Sequence, residues 1–305
     1  MSLLDGLDAI DWGKLSHAYG RATDVPDLLR ALVNPAGASK ELRQRAARSG
    51  RSVRDLVQVE LYGNVIHQNS VWSASSKIVP FFVEILTDGP EDLELRRFSL
   101  EYLSALAGPD PDEIFPSRFD PDECFADSDD PGTWREEDRG TENEDDEVLS
   151  QMMRFWGKEC YEAVERALPA LMPLVDDADD ELAIEAAHLF AAFPRSADRT
   201  GPLLRGCVAK MSSSPARGGA ALVALALLEP TPTQTLAEEL FRRAPTRLIA
   251  LHAACAAIIA DPRRVSPQAR ELVSAPVGEL GEERSFAGSL SRLRDECLML
   301  LRCTS

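Results

Sequence analysis

Five stretches of this chain repeat one design, and no other feature restricts its fold as strongly. They are SVRDLVQVELYGNVI from Ser52, LELRRFSLEYLSALA from Leu93, ELAIEAAHLFAAF from Glu181, PARGGAALVALALL from Pro215 and PTRLIALHAACAAIIA from Pro245. Each runs from a polar start, in four cases with an early Arg (Arg54, Arg96, Arg217, Arg247), into Ala, Leu and aromatic residues at helical spacing. Ala183 takes the Arg position in the third. The step from Arg54 to Arg96 is 42 residues, from Ala183 to Arg217 34, and from Arg217 to Arg247 30. Periods of this size belong to two-helix repeats, in which each unit has a wide apolar stripe that only a neighbour of the same shape can cover.

Second helices are expected over Ser73–Leu86, Tyr161–Val175, Thr200–Met211 and Pro232–Arg243. Pro80, Pro169 and Pro202 bend these helices or sit in a first turn. Connectors such as LEPTPTQ and AFPRSADRTG are short and turn-like, which sets successive helices antiparallel. With 44% hydrophobic residues but only 6% aromatic ones, the composition suits helix-on-helix packing better than a β-sandwich. The expectation is an all-α chain: one α-solenoid of antiparallel helix pairs over 1–305, closed by a C-terminal capping helix region at 276–305 that ends in LSRLRDECLMLL.

The repeat is interrupted at 109–147, which makes the step from Arg96 to Ala183 87 residues long. Between Pro109 and Glu147 there are 17 Asp or Glu against 3 Arg, a net of −14 within a total of −18. The remainder, 34 acidic and 30 basic residues, is close to neutral. Low hydrophobicity with high charge reads as a solvated, flexible acidic insertion, although Ile114, Phe115, Phe119, Phe125 and Trp134 could pin it to the helices or be offered to a partner. A duplex nucleic-acid binder needs a basic stripe, and none is present, so no duplex nucleic acid is expected. The most apolar run, Ala220–Leu228, is about half the length of a membrane span, and the first residues lack the pattern of a secretory signal. The six scattered cysteines read as reduced thiols in a cytoplasmic protein without membrane contact.

Three stretches carry a resemblance: LDAIDWGKLSHAYGRATDVPDLLRAL from Leu7, ELYGNVIHQNSVWSASSKIVPFFVEIL from Glu60, and AVERALPALMPLVDDADDELAIEAAHLFAAFP from Ala163. Together they resemble a group of bacterial HEAT-repeat proteins over most of the chain outside the acidic insertion. The resemblance implies a HEAT-type α-solenoid in a bacterial cytoplasm and brings no catalytic residues with it. In such repeats an Arg commonly pairs with an Asp of the preceding turn, and Ala183 breaks that ladder.

Catalytic signatures are missing from the sequence. There is no HExxH, no phosphate-binding glycine loop and no nucleophile elbow. His188 and His252 lie on apolar helical faces and read as core or boundary residues. Cys297 and Cys303 lack a nearby histidine, so zinc is not expected. Asp176–Asp180 and Asp127–Asp130 lack the loop of an EF-hand and read as helix caps and solvated turns. No cofactor and no metal are expected.

Tyr62, Asn64, His67, Gln68, Asn69 and Trp72 join the end of one helix to the start of the next. Such side chains give contact area and hydrogen bonds for few rotatable bonds. The alternative is an N-terminal cap, with Tyr62 and Trp72 covering the first repeat and Asn69 or Ser70 capping a helix. Candidate partner-binding residues are therefore Tyr62, Asn64, His67, Gln68 and Trp72, joined in the insertion by Asp129, Asp130, Trp134, Glu136, Glu137 and Asp138. The leading expectation is a non-catalytic protein-binding scaffold, with a basic toxin neutralised in an immunity-type role as its sharpest form. The alternatives are a HEAT-like enzyme, related to DNA glycosylases or bilin lyases, and a structural assembly module. The oligomeric state expected is a monomer or a weak homodimer.

Overall fold

The computed structural model describes residues 3–67, 70–108, 120–126, 128, 144–286 and 288–304, with the backbone alone for 144–148. The chain is mostly helical. Its described residues form two compact units, one running up to 108 and over 120–167, the other from Leu168 onward. No helix among the described residues is long and apolar enough to cross a membrane.

The N-terminal unit holds α1 (Val25–Val33), α2 (Lys40–Ser49), α3 (Val53–Val65), α4 (Ser75–Asp88), α5 (Leu93–Ala107), the single turn α6 (Pro121–Cys124) and most of α7 (Glu144–Leu171). Ser52 starts α3 through a reciprocal capping box with Asp55. Asp92 caps α5 and also receives Arg54 of α3 at 2.7 Å. The pairs α1–α3, α2–α3 and α4–α5 pack together. At their centre Phe82 stacks on Tyr102 at 4.5 Å, and the fully buried Tyr102 hydroxyl donates to the Leu61 carbonyl at 3.0 Å.

Parts of the insertion are ordered into helix. Asp120 accepts from the backbone of Asp122 and Glu123 to start α6, where Pro121 takes the first turn. The helix α7 begins at Glu144, inside the span read as loop; acidic residues suit a helix start because the N-terminal dipole is positive. Phe125 packs its ring on Tyr161 at 5.7 Å, so this aromatic is pinned to the body. Asp129, Asp130, Trp134, Glu136, Glu137, Asp138 and Gln68 lie outside the described residues.

In the C-terminal unit α8 (Asp180–Ala191), α10 (Pro215–Leu228), α12 (Arg247–Ala260) and α14 (Leu290–Cys303) pack one against the next. The helices α9 (Ala197–Ala209), α11 (Pro230–Arg243) and α13 (Pro267–Ser274) form a second layer, packed on α10, α12 and both α12 and α14 respectively. This layering explains the sequence pattern. The helices α10 and α12 are apolar all round because they are covered on several sides, with Gly218–Ala226 and Leu251–Ile258 buried throughout. Tyr161–Val175 does not continue as one helix: α7 ends at Leu171 and a tighter 3-10 turn follows over Met172–Asp176, with Pro173 in it. Asp179 caps α8, Asp180 receives Arg217 at 2.7 Å and Asp176 receives Lys210 at 2.9 Å, so the acidic run works in capping and pairing. Arg217 pairs with Asp180 at the start of α8, whereas Ala183 is buried. Among the six free cysteines Cys160, Cys207, Cys255 and Cys297 are buried, and burial raises the thiol of Cys160, Cys207 and Cys297.

Among the described residues of this unit, one buried side chain is unsatisfied. Gln234 of α11 is 6% exposed and neither amide atom has a hydrogen-bond partner. An unpaired buried amide costs about 1–3 kcal/mol, so Gln234→Met, which keeps the length and removes the polar atoms, is expected to raise stability by about 1 kcal/mol. Urea denaturation of the two proteins measures it, and equal or lower stability of the variant would contradict the assignment.

Among the described residues, three small hairpins break the helical pattern. They are β1 (Ser16–His17) with β2 (Gly20–Arg21), β3 (Ile66–His67) with β4 (Ser70–Val71), and β5 (Arg284–Ser285) with β6 (Gly288–Ser289). Each is an antiparallel pair of two-residue strands. Gly20 at φ 125° and Gly288 at φ 109° stand just after their tips, where a side chain would be strained. Ser70 is therefore a strand residue paired with His67, which corrects its reading as a helix cap. The start of α4 is instead tied by Ser75, whose Oγ accepts from the Trp72 backbone at 2.8 Å and donates to the Val65 carbonyl at 2.7 Å.

Candidate protein interface

The last turns of α3 bring Glu60, Gly63 and Asn64 onto one face, at the spacing of three and four residues that stacks side chains along a helix, and His67 of β3 brings its ring back to the Gly63 carbonyl. The β1–β2 hairpin is fixed against this end through main-chain bonds. The Ala18 N–H donates to the Asn64 carbonyl at 2.8 Å, and the Ala74 N–H donates to the Ser16 carbonyl at 3.1 Å. The Ser16 N–H adds a bond to Ser73 Oγ at 2.8 Å.

His17 points inward from this hairpin and is buried. Its Nδ1 accepts from the Tyr19 N–H at 3.1 Å, which assigns the proton to Nε2, and Nε2 donates to Asp24 Oδ1 at 2.9 Å. Asn64 donates to the other oxygen of Asp24 at 3.1 Å. Burial pushes the Asp24 carboxyl up, but the His17 hydrogen bond and charge outweigh it and hold the group below its usual range. Glu60 Oε2 pairs with Arg45 at 2.9 Å. Burial raises the Glu60 carboxyl, Arg45 opposes that, and the negative charge of Asp24 adds to it.

The network holds one aromatic residue out into solvent. Tyr19, at the hairpin tip, is 69% exposed, the most of any large hydrophobic side chain among the described residues. It lies edge-on to His67, with ring centroids 5.3 Å apart and planes at 68°. The His67 Nδ1 lies 3.1 Å from the Gly63 carbonyl and 3.4 Å from the Tyr19 hydroxyl. His17, Tyr19, Asp24, Glu60, Asn64, His67 and Arg45 therefore make one surface cluster.

Of the residues selected from the sequence, Asn64 and His67 belong to this cluster. Tyr62 does not: its ring packs on Phe98 and Tyr102 at 5.7 and 4.9 Å. Trp72 faces Trp156 at 5.9 Å, and its Nε1 is buried without a partner. Both rings are half-buried against these neighbours. Sequence reasoning missed Tyr19, His17 and Asp24, although a glycine directly after the tyrosine in HAYG is a turn signal. A separate concavity of about 200 Å³ is lined by Val71, Leu106, Phe125, Met153, Arg154 and Gly157, mostly apolar.

Among the described residues no three His, Cys, Asp or Glu side chains converge as metal ligands. His188 pairs with Glu185 at 3.3 Å and meets Phe286 edge-on, and His252 is fully buried. The cluster at Tyr19 offers an exposed ring, two carboxylates and an imidazole on a fixed backbone, which is chemistry for contact. Compared with protein-family models, with curated proteins and with solved structures, the chain matches none of them.

Proposed function

We propose that this protein is a non-catalytic binding module: a HEAT-type α-solenoid whose N-terminal hairpins offer a contact surface to another protein. The observation that carries this reading is Tyr19, a large aromatic side chain in solvent on a backbone fixed by neighbouring main-chain and His17 bonds. An exposed aromatic that needs no reordering suits an interface anchor, because its contact area comes at little cost in entropy. The excess of acid in 109–147 favours a basic partner, and a toxin neutralised in an immunity-type role is the form this proposal takes.

A photo-crosslinking amino acid at position 19 tests it in the native cell. The expected result is a discrete adduct with one protein, absent when the same group replaces exposed Met299. Identical adducts at both positions, or none, would overturn the reading. With the partner in hand, Tyr19→Ala is expected to weaken binding at least about tenfold, as truncated interface anchors do, while the melting temperature stays that of wild type. Neutralising Asp129, Asp130, Glu136, Glu137 and Asp138 to their amides is expected to slow association and flatten its salt dependence. A stopped-flow rate that matches wild type at low salt would remove the acidic segment from the account.

A further inference from the structure

We propose that the Tyr19 cluster receives an arginine side chain, its guanidinium laid on the exposed ring and bonded to the carboxylates of Asp24 and Glu60. The proposal deepens the protein-binding reading and rests on it for the source of that arginine. Three observations carry it. The first is the open ring itself, since guanidinium groups stack on aromatic faces.

The second is unused acceptor capacity. Asp24 accepts from His17 on one oxygen and from Asn64 on the other, with a further bond from its own backbone, and Glu60 engages Arg45 through Oε2. An ionised carboxylate accepts about four hydrogen bonds, so both retain room for a donor. The third is charge. Among the described contacts, the carboxylates of Asp24 and Glu60 stand together beside one guanidinium, that of Arg45. Burial is the main cause of the raised Glu60 carboxyl, and the nearby charge of Asp24 adds a smaller part. Arg45 also shows that this surface already binds a guanidinium within the chain, and the planar fork of a second one suits a ring beside carboxylates better than the point charge of lysine.

The test uses the full chain and N-acetyl-arginine methylamide, with the citrulline analogue as a neutral control of nearly equal shape. Titration followed by NMR is expected to shift the Tyr19 and His67 ring signals saturably in the millimolar range, with the citrulline compound at least about fivefold weaker. Tyr19→Phe keeps the ring and is expected to bind as wild type. Tyr19→Ala and Glu60→Gln are each expected to lose at least about fivefold. Equal shifts from citrulline, or unchanged binding by Tyr19→Ala, would overturn the proposal. Because the probe is a free amino-acid derivative, this outcome is separate from crosslinking: a partner found at position 19 without arginine selectivity leaves the interface and removes the arginine, and the converse result does the reverse.

Discussion

Alanine at position 219 will destabilise the C-terminal unit by about 4 kcal/mol, because overpacking a core costs about 1–3 kcal/mol and orphaning a buried polar group about as much again. Gly219 lies on α10 directly against the imidazole of His252 on α12, and a Cβ there would overlap the ring. The ring has nowhere to go. Its Nδ1–H donates to the Leu248 carbonyl at 3.1 Å, and its Nε2 accepts from the Ser285 hydroxyl at 2.9 Å. The two helices cannot part cheaply either, since both are buried along most of their length. Thermal unfolding of Gly219→Ala measures the loss. The Gly219→Ala/His252→Ala double variant is expected to be less destabilised than the sum of the singles, because the clash and the ring that suffers it vanish together. A single variant that melts with wild type would contradict this account.

Acid will destabilise the same region, by about 3 kcal/mol once the pH is below 4, the equivalent of a histidine moved from 6.5 to about 4. Desolvation of the fully buried His252 is the cause; the Leu248 carbonyl, which accepts from Nδ1–H, opposes it. Above pH 6.5 the imidazole is neutral in the folded and unfolded chains, so folding is independent of pH there as far as this group goes. Between 6.5 and 4 the unfolded chain binds the proton and the folded chain does not, so stability falls as pH falls. Urea denaturation at pH 7.5, 6, 5 and 4 reads the decline, and His252→Gln should remove this part of it whatever its own stability. An unchanged slope in that variant would assign the acid sensitivity to other groups.

The helices were legible because their apolar spacing is long. The stretches LELRRFSLEYLSALA and PARGGAALVALALL coincide with α5 and α10, and α12 starts two residues after Pro245 because Thr246 caps it. The hairpins were not legible. Strands of two residues contain no alternation to detect, and their tips lack the Asn-Gly or Asp-Gly pairs that announce the favoured turns. The candidate interface was half legible for the same reason. Asn64 and His67 were selected for their residue types where one helix ends and the next begins, whereas Tyr19 is a single aromatic between two short strands. Tyr62 and Trp72 attracted notice by residue type alone, which does not reveal that Phe98, Tyr102 and Trp156 cover them.

Two of the bonds that seat the β1–β2 hairpin run between backbone atoms, from Ala18 to Asn64 and from Ala74 to Ser16, and the one from the tip residue Ala18 uses no side chain. Amide and carbonyl groups are the same whatever residue carries them. Sequence at the tip is thereby decoupled from the stability of the scaffold, and positions 18 and 19 can be randomised as a retargeting loop. A display library built there would keep its frame while exploring new specificities.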